Sequence, residues 1–186
     1  MWKLLIKYSL NDPATVAALM SGQLVVARTD TIYGVLARAE DPAAIARLYA
    51  AKRRAPQKSC IVLVASIDDI PGLTQPQKEA YLELNRHRPT TVITSADHLF
   101  PNAPHQHDTL AFRLVAGELA ELIRQTGPLL APSANPEGLP PARTISEAMD
   151  YFGDAVSVYV DGGTAAGGAP SRIVRFAGGR VITLRD

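Results

Sequence analysis

Helical and strand-like patterns alternate along all 186 residues with no long linker, repeat or low-complexity stretch between them. That alternation limits the fold more than any other feature of the sequence. Asn11, Asp12 and Pro13 supply an N-cap and first turn for a short helix through Val16, Leu19 and Met20, which Gly22 closes. Strands are predicted at 23–27 and 33–37, and a second helix opens at Asp41 and Pro42 with Ile45, Leu48 and Tyr49 at helical spacing. The run 60–64 is short, β-branched and bounded by polar residues, as a buried strand should be. Helices are then predicted at 75–86, 118–125 and 145–152, and strands at 91–94, 109–114, 129–131, 156–160, 172–175 and 181–184. Because helices separate many of the strands, the expected fold class is α/β, a single domain over residues 1–186 with a mixed sheet covered by helices. The closely spaced strands of the tail predict some antiparallel pairing.

A hydrophobic content of 47% supports a substantial core, and 20% charged residues exclude a disordered or collagen-like chain. The single cysteine, Cys60, cannot form an internal disulfide and gives no sign of an oxidising compartment. The N-terminal M-W-K-L-L-I-K-Y has too short an apolar core for a signal peptide, and no run approaches the roughly 20 apolar residues that span a bilayer. A cytoplasmic, soluble protein with no membrane partner is expected, with Trp2 a packing residue near the terminus.

Formal net charge is only +1, yet four cations stand within K-R-R-A-P-Q-K at Lys52, Arg53, Arg54 and Lys58. The knot falls at a helix-to-strand junction, where open α/β folds often place ligands, so an anion is the expected ligand. A solvated charge run is the plainer reading, and the helix dipole would favour Lys52 at a helix end in any case. Against it, Ala55 and Pro56 are expected to stop the helix, so that Lys58 approaches from another direction, an arrangement suited to a triphosphate. A second segment, T-D-T-I-Y-G from Thr29 to Gly34, offers three hydroxyls and a glycine that lets backbone come close to a ligand; it also reads as a polar turn. A third, A-P-S-A-N from Ala131 to Asn135, would present a hydroxyl, an amide and free backbone N–H groups at a sheet edge, or form a capped turn. His98, His105 and His107 with Asp108 lack regular ligand spacing and read as a surface loop, so no metal site is predicted. Cys60, inside an apolar strand, reads as core.

These segments occur in one order with P-T-T-V-I at 89–93, A-F-R at 111–113 and P-S-R-I-V at 170–174. Together the six resemble the YrdC-like threonylcarbamoyl-AMP synthase family from about Gly22 to Arg185. The resemblance implies a twisted sheet around a concave, positively charged cavity. It implies a nucleotidyltransferase that converts L-threonine, bicarbonate and ATP to threonylcarbamoyl-AMP and pyrophosphate, with Mg²⁺ accompanying ATP. The product would feed tRNA threonylcarbamoyladenosine formation through a separate transferase complex. The family's threonine-binding positions carry over to Thr31, with Tyr33 beside it, and to Thr91 and Ser171. Its ATP-binding positions carry over to Lys52, Arg54, Lys58, Ser133, Asn135 and Arg185, with Lys52 and Arg54 the catalytic cations.

The pattern departs from the family at Ser59, Cys60 and Leu63, where Pro-Leu and then a polar residue, often His, is usual. It departs again at His87 and Arg88 before Pro89, at Leu114 and Val115 after Arg113, and at Arg172 after Ser171. The differences at Ser59, Cys60 and Leu63 are expected to weaken contact with the threonine carboxylate. A paralogue that binds nucleotide, tRNA or double-stranded RNA with altered catalysis is the alternative these departures raise.

Overall fold

The computed structural model describes residues 5–7, 9–95, 100, 103, 108–165 and 169–186. Trp2, His98, His105 and His107 lie outside the described residues. The strands are β1 (Leu5–Lys7), β2 (Val25–Arg28), β3 (Tyr33–Arg38), β4 (Ile61–Val64), β5 (Thr90–Ser95), β6 (Thr109–Leu114), β7 (Leu129–Leu130), β8 (Val158–Val160), β9 (Arg172–Ala177) and β10 (Arg180–Arg185). The helices are α1 (Pro13–Met20), α2 (Pro42–Ala51), α3 (Gln75–His87), α4 (Gly117–Thr126) and α5 (Ile145–Phe152). All ten strands join one mixed sheet in the order β1-β8-β2-β3-β7-β4-β6-β5-β9-β10. The tail does contain the expected antiparallel pair, β9 with β10, while β8 pairs in parallel with both β1 and β2.

Alternation along the central strands divides the core into two layers. On β3, Tyr33, Val35 and Ala37 face one way with Leu48 and Tyr49 of α2, Tyr81 of α3 and Phe152 of α5. Leu36 faces the other way with Val25, Leu63, Leu19 of α1 and Leu119 and Leu122 of α4. Strand β7, predicted to end at a sheet edge, instead lies at the centre, antiparallel to both β3 and β4. With only two residues it depends on those neighbours for pairing, and burial of both side chains holds it there. Strand β1 was not foreseen from sequence.

Helix α2 also ends earlier than Ala55 and Pro56 suggest. Asp41 caps its start by accepting N–H groups of Ala43 at 2.9 Å and Ala44 at 3.1 Å. At the other end Arg53 N–H reaches Ala50 O at 3.1 Å and Arg54 N–H reaches Tyr49 O at 3.0 Å, with Arg53 at φ 50°. This is the Schellman arrangement, with arginine in the left-handed position that glycine usually fills. The turn at Arg53 is followed by Arg54, whose guanidinium bonds to Ser59 O just before β4.

Candidate active site

Beyond Leu130 the chain keeps following β3 without forming a regular strand. Val35 N–H donates to Pro132 O at 2.9 Å and Ala134 N–H to Tyr33 O at 2.8 Å, flanking the bridge between Gly34 and Ser133. A side chain at Gly34 would put its Cβ 3.3 Å from Pro132 O and 3.2 Å from Thr29 Cγ2. The close approach that Gly34 permits is therefore between two backbone segments, although the glycine also lines the cavity. The cavity, about 300 Å³, opens between this paired segment, the start of β4, and the loop before β9.

One wall carries hydroxyls. Thr29 Oγ1 donates to Ile32 O at 2.7 Å, which leaves its lone pairs to accept the Thr31 hydroxyl at 3.1 Å and the Thr31 N–H at 3.3 Å. Thr29 thereby fixes Thr31, which lines the cavity. Tyr33 lines it as well, but its hydroxyl donates to Gly163 O at 2.7 Å and accepts Gly162 N–H at 3.0 Å. Burial raises the Tyr33 pKa and keeps the phenol protonated. On the opposite side the hydroxyls of Thr91 and Ser171 lie 2.7 Å apart, both buried; Ser171 reaches the lining and Thr91 stands behind it.

Three guanidinium groups also line the cavity, from Arg54, Arg113 and Arg185. Arg54 donates through Nη2 to Ser59 O at 2.9 Å, and Arg185 donates to Ser171 O through Nε at 3.2 Å and Nη2 at 2.8 Å. Arg113 is 3% exposed and donates through Nη2 to Asp30 Oδ1 at 2.8 Å. The Nε atoms of Arg54 and Arg113 are buried and lack a partner among the described residues. Three guanidinium cations gathered at one cavity suit an anionic ligand. Arg185 has its pKa lowered by loss of water and then by the neighbouring Arg113 and Arg88. No carboxylate occurs among the described lining residues.

The remaining expected site residues stand behind or beside this lining. Lys52 is 2% exposed, and its Nζ donates to the backbone oxygens of Ser133 and, at 2.6 Å, Asn135. Ser133 lines the cavity, while its hydroxyl donates to Asn135 Oδ1 at 2.6 Å; the Asn135 amide donates to Leu139 O at 2.7 Å and Pro136 O at 3.0 Å. Backbone N–H groups expected to be free in this segment are engaged, Ala131 N–H donating to Ile61 O at 3.1 Å and Asn135 N–H to Ser133 O at 2.9 Å, and just beyond it Glu137 N–H donates to Lys52 O at 2.8 Å. Lys58, half exposed, pairs with Glu137, whose carboxyl is held below its ordinary pKa by that hydrogen bond.

Of Ser59, Cys60 and Leu63, where weakened contact with threonine is expected, Leu63 is fully buried in the layer beneath α1 and α4 and does not line the cavity. The residues of that segment that do are Ser59, Cys60 and Ile61. Cys60 is 5% exposed, its Sγ 3.1 Å from the Tyr49 hydroxyl, which in turn donates to Lys58 O. Burial raises the Cys60 pKa and keeps it a thiol. His87 pairs with Glu83, and Arg88 and Arg172 both pair with Asp186. Sequence reasoning passed over Arg113 as a site residue, although an arginine inside the apolar strand T-L-A-F-R-L was a signal that a buried cation needed a partner.

The family described as "Telomere recombination" (Sua5/YciO/YrdC) matches residues 17–186. A relative from Mycobacterium tuberculosis is 36% identical over 177 residues, which cover 92% of this chain and 82% of that one. "Threonylcarbamoyl-AMP synthase" of Chromohalobacter salexigens is 30% identical over 90% of this chain and 93% of its own length. Among solved structures, P. abyssi Sua5 complexed with L-threonine superposes with a TM-score of 0.82 at 25% identity, covering 98% of this chain and 57% of that one. This chain thus spans little more than half the length of that Sua5. A cavity lined by three arginines and by threonine and serine hydroxyls, in a fold that superposes on Sua5, accompanies a family match over most of the sequence: the chain belongs to the Sua5/YciO/YrdC family.

Proposed function

We propose that this chain is a threonylcarbamoyl-AMP synthase, which makes threonylcarbamoyl-AMP and pyrophosphate from L-threonine, bicarbonate and ATP. The observation that carries the reading is the cavity that gathers Thr31, Ser133, Ser171 and three arginines, with no histidine or carboxylate among its described lining residues to activate a nucleophile for covalent catalysis. The chemistry needs none. Threonine's amine either adds to carbon dioxide and gives up a proton, or attacks bicarbonate carbon and expels water, to give a carbamate. A carbamate oxygen then attacks the α-phosphorus of ATP, and the bond from that phosphorus to the pyrophosphate oxygen breaks. The difficulty lies in bringing several anions together and stabilising charge on the phosphoryl group, which positioned cations supply.

On this reading Thr31 and Ser171 hold threonine, with Thr29 and Thr91 fixing their hydroxyls, and Arg113 takes its carboxylate. Arg54, Arg185 and Ser133 face the nucleotide, and Lys58 joins them when a phosphate replaces Glu137 beside it. Mg²⁺ enters on the phosphates, as is usual for that ion; Asp30, next to the lining, is already engaged by Arg113. A transferase that modifies tRNA would consume the product. Incubation of pure protein with ATP, Mg²⁺, labelled bicarbonate and single amino acids tests the proposal by mass spectrometry. Labelled carbamoyl-adenylate formed with threonine is the expected result; pyrophosphate release that ignores threonine and bicarbonate would overturn it.

A further inference from the structure

Lys52 belongs to the cation knot by sequence, but its ammonium group is buried and turned away from the cavity lining. Its nearest acceptors are backbone oxygens of Ser133 and Asn135, 81 and 83 residues further along the chain. Lys52 also receives the loop through its own backbone, since Glu137 N–H donates to Lys52 O. One residue therefore grips the 133–137 segment at three points, two through its ammonium and one through its carbonyl.

An ammonium ion buried this far must be matched by strong acceptors, or the fold will not keep it. Here the match comes from carbonyl dipoles of one loop rather than from a carboxylate. Those carbonyls can both point at Lys52 only while the segment keeps its present course, with Ala134 N–H on Tyr33 O and the Ser133 hydroxyl on Asn135. Without the cation, two converging carbonyls would face each other unpaired. The requirement runs both ways: the loop solvates the lysine, and the lysine sets the loop.

We propose that Lys52 is a positioning residue that holds the Ser133–Asn135 loop in the shape of the nucleotide site and does not itself grip phosphate. The proposal rests on the reading of the cavity as a nucleotide site. A phosphate ligand and a positioning residue differ in one measurable respect. Loss of a phosphate ligand weakens ATP more than ADP and ADP more than AMP, because each phosphate removed leaves less for the cation to hold. Loss of a positioning residue weakens all three by a common factor.

The test compares wild-type protein with Lys52→Met and Lys52→Gln by titration with ATP, ADP and AMP, and by hydrogen exchange at the amides of Ala134 and Glu137. The expected result is an equal loss of affinity for the three nucleotides, on the order of ten- to a hundredfold. Faster exchange at the two loop amides should accompany it, with β4 and β6 still protected. Lys52→Gln, which keeps a donor, should be the milder of the two. A loss graded by phosphate number would overturn the proposal, and so would unchanged exchange in the loop. Failure of both variants to fold would overturn it too, since a lysine that seats one loop leaves the two-layered core standing. If wild-type protein binds no nucleotide, the functional reading fails, while the exchange comparison still decides whether Lys52 sets the loop.

Discussion

Arg53 and Arg54 are neighbours in sequence with opposite tasks. Arg54 lines the cavity, whereas Arg53 is exposed and sits in the left-handed position that ends α2. Arg54→Ala is expected to lower kcat/KM by about 10²- to 10³-fold, the usual cost of removing a charge-stabilising donor. Arg53→Gly should leave turnover intact and, by relieving the φ 50° strain, raise stability by roughly 0.5–1 kcal/mol in denaturant unfolding. Equal kinetic effects from the two substitutions would mean that the knot is a diffuse charged patch. The knot's existence was legible in the sequence, but its division was not. Which cation meets a ligand depends on the turn at Lys52 and on carbonyls more than 80 residues away, and local spacing records neither. For Tyr33 and Asn135 the residue type suggested free polar groups, and the fold engages both with backbone.

At the scale of elements, the boundaries of α5 and β6 were readable because apolar periodicity, caps and turn residues agree there. The position of β7 was not readable, because strand order is fixed by which edges pair and not by the pattern within a strand of two residues. Strand β1, three residues long and paired among the described residues with β8, gives too short a pattern to read. The pairing of β3 with the 132–134 segment carries its own prediction. Gly34→Ala would press a methyl group against Pro132 O and Thr29 Cγ2 at once, one of them backbone. The strands must part by a few tenths of an ångström, at a cost of about 1–2 kcal/mol. Thermal unfolding should register that loss, and activity should fall with it because Thr31 and Ser133 line the cavity from the two displaced segments. A variant with lowered stability and unchanged kcat/KM would show that this pairing does not set the site.

Across the whole molecule, stability should change with pH in two opposed stages. Burial, aided by Arg54, lowers the Lys52 pKa to about 8, below its ordinary value, so the fold carries a charged ammonium at a cost below that pH. Between about 8 and the unfolded value the folded chain binds fewer protons than the unfolded one, and this group makes the fold more stable as pH rises. Burial acts the other way on tyrosines. It pushes Tyr81 up to about 12 and raises Tyr33, Tyr49 and Tyr159 as well. Their contribution is fully present below the unfolded tyrosine pKa of about 10 and is lost as pH climbs through the folded values. Denaturant midpoints should therefore rise somewhat through mildly alkaline solution and then drop steeply, with phenolate absorbance appearing together with unfolding. Phenolate signal from these tyrosines before any unfolding would contradict the argument.

The bonds that shape the cavity join residues far apart in the chain: Arg113 with Asp30 at a separation of 83, Thr91 with Ser171 at 80, and Lys52 with Ser133 at 81. Loops of that length must close before any of these contacts gives a return, and chains dominated by such contacts fold slowly. Helices α2, α4 and α5, built from local contacts, can form much earlier. After dilution from denaturant, helical signal is expected to recover first, and ligand binding to return only with the slowest phase. Competence to bind thus reports on completion of the entire chain's folding, which makes a bound nucleotide a stringent measure of how much of a preparation is native.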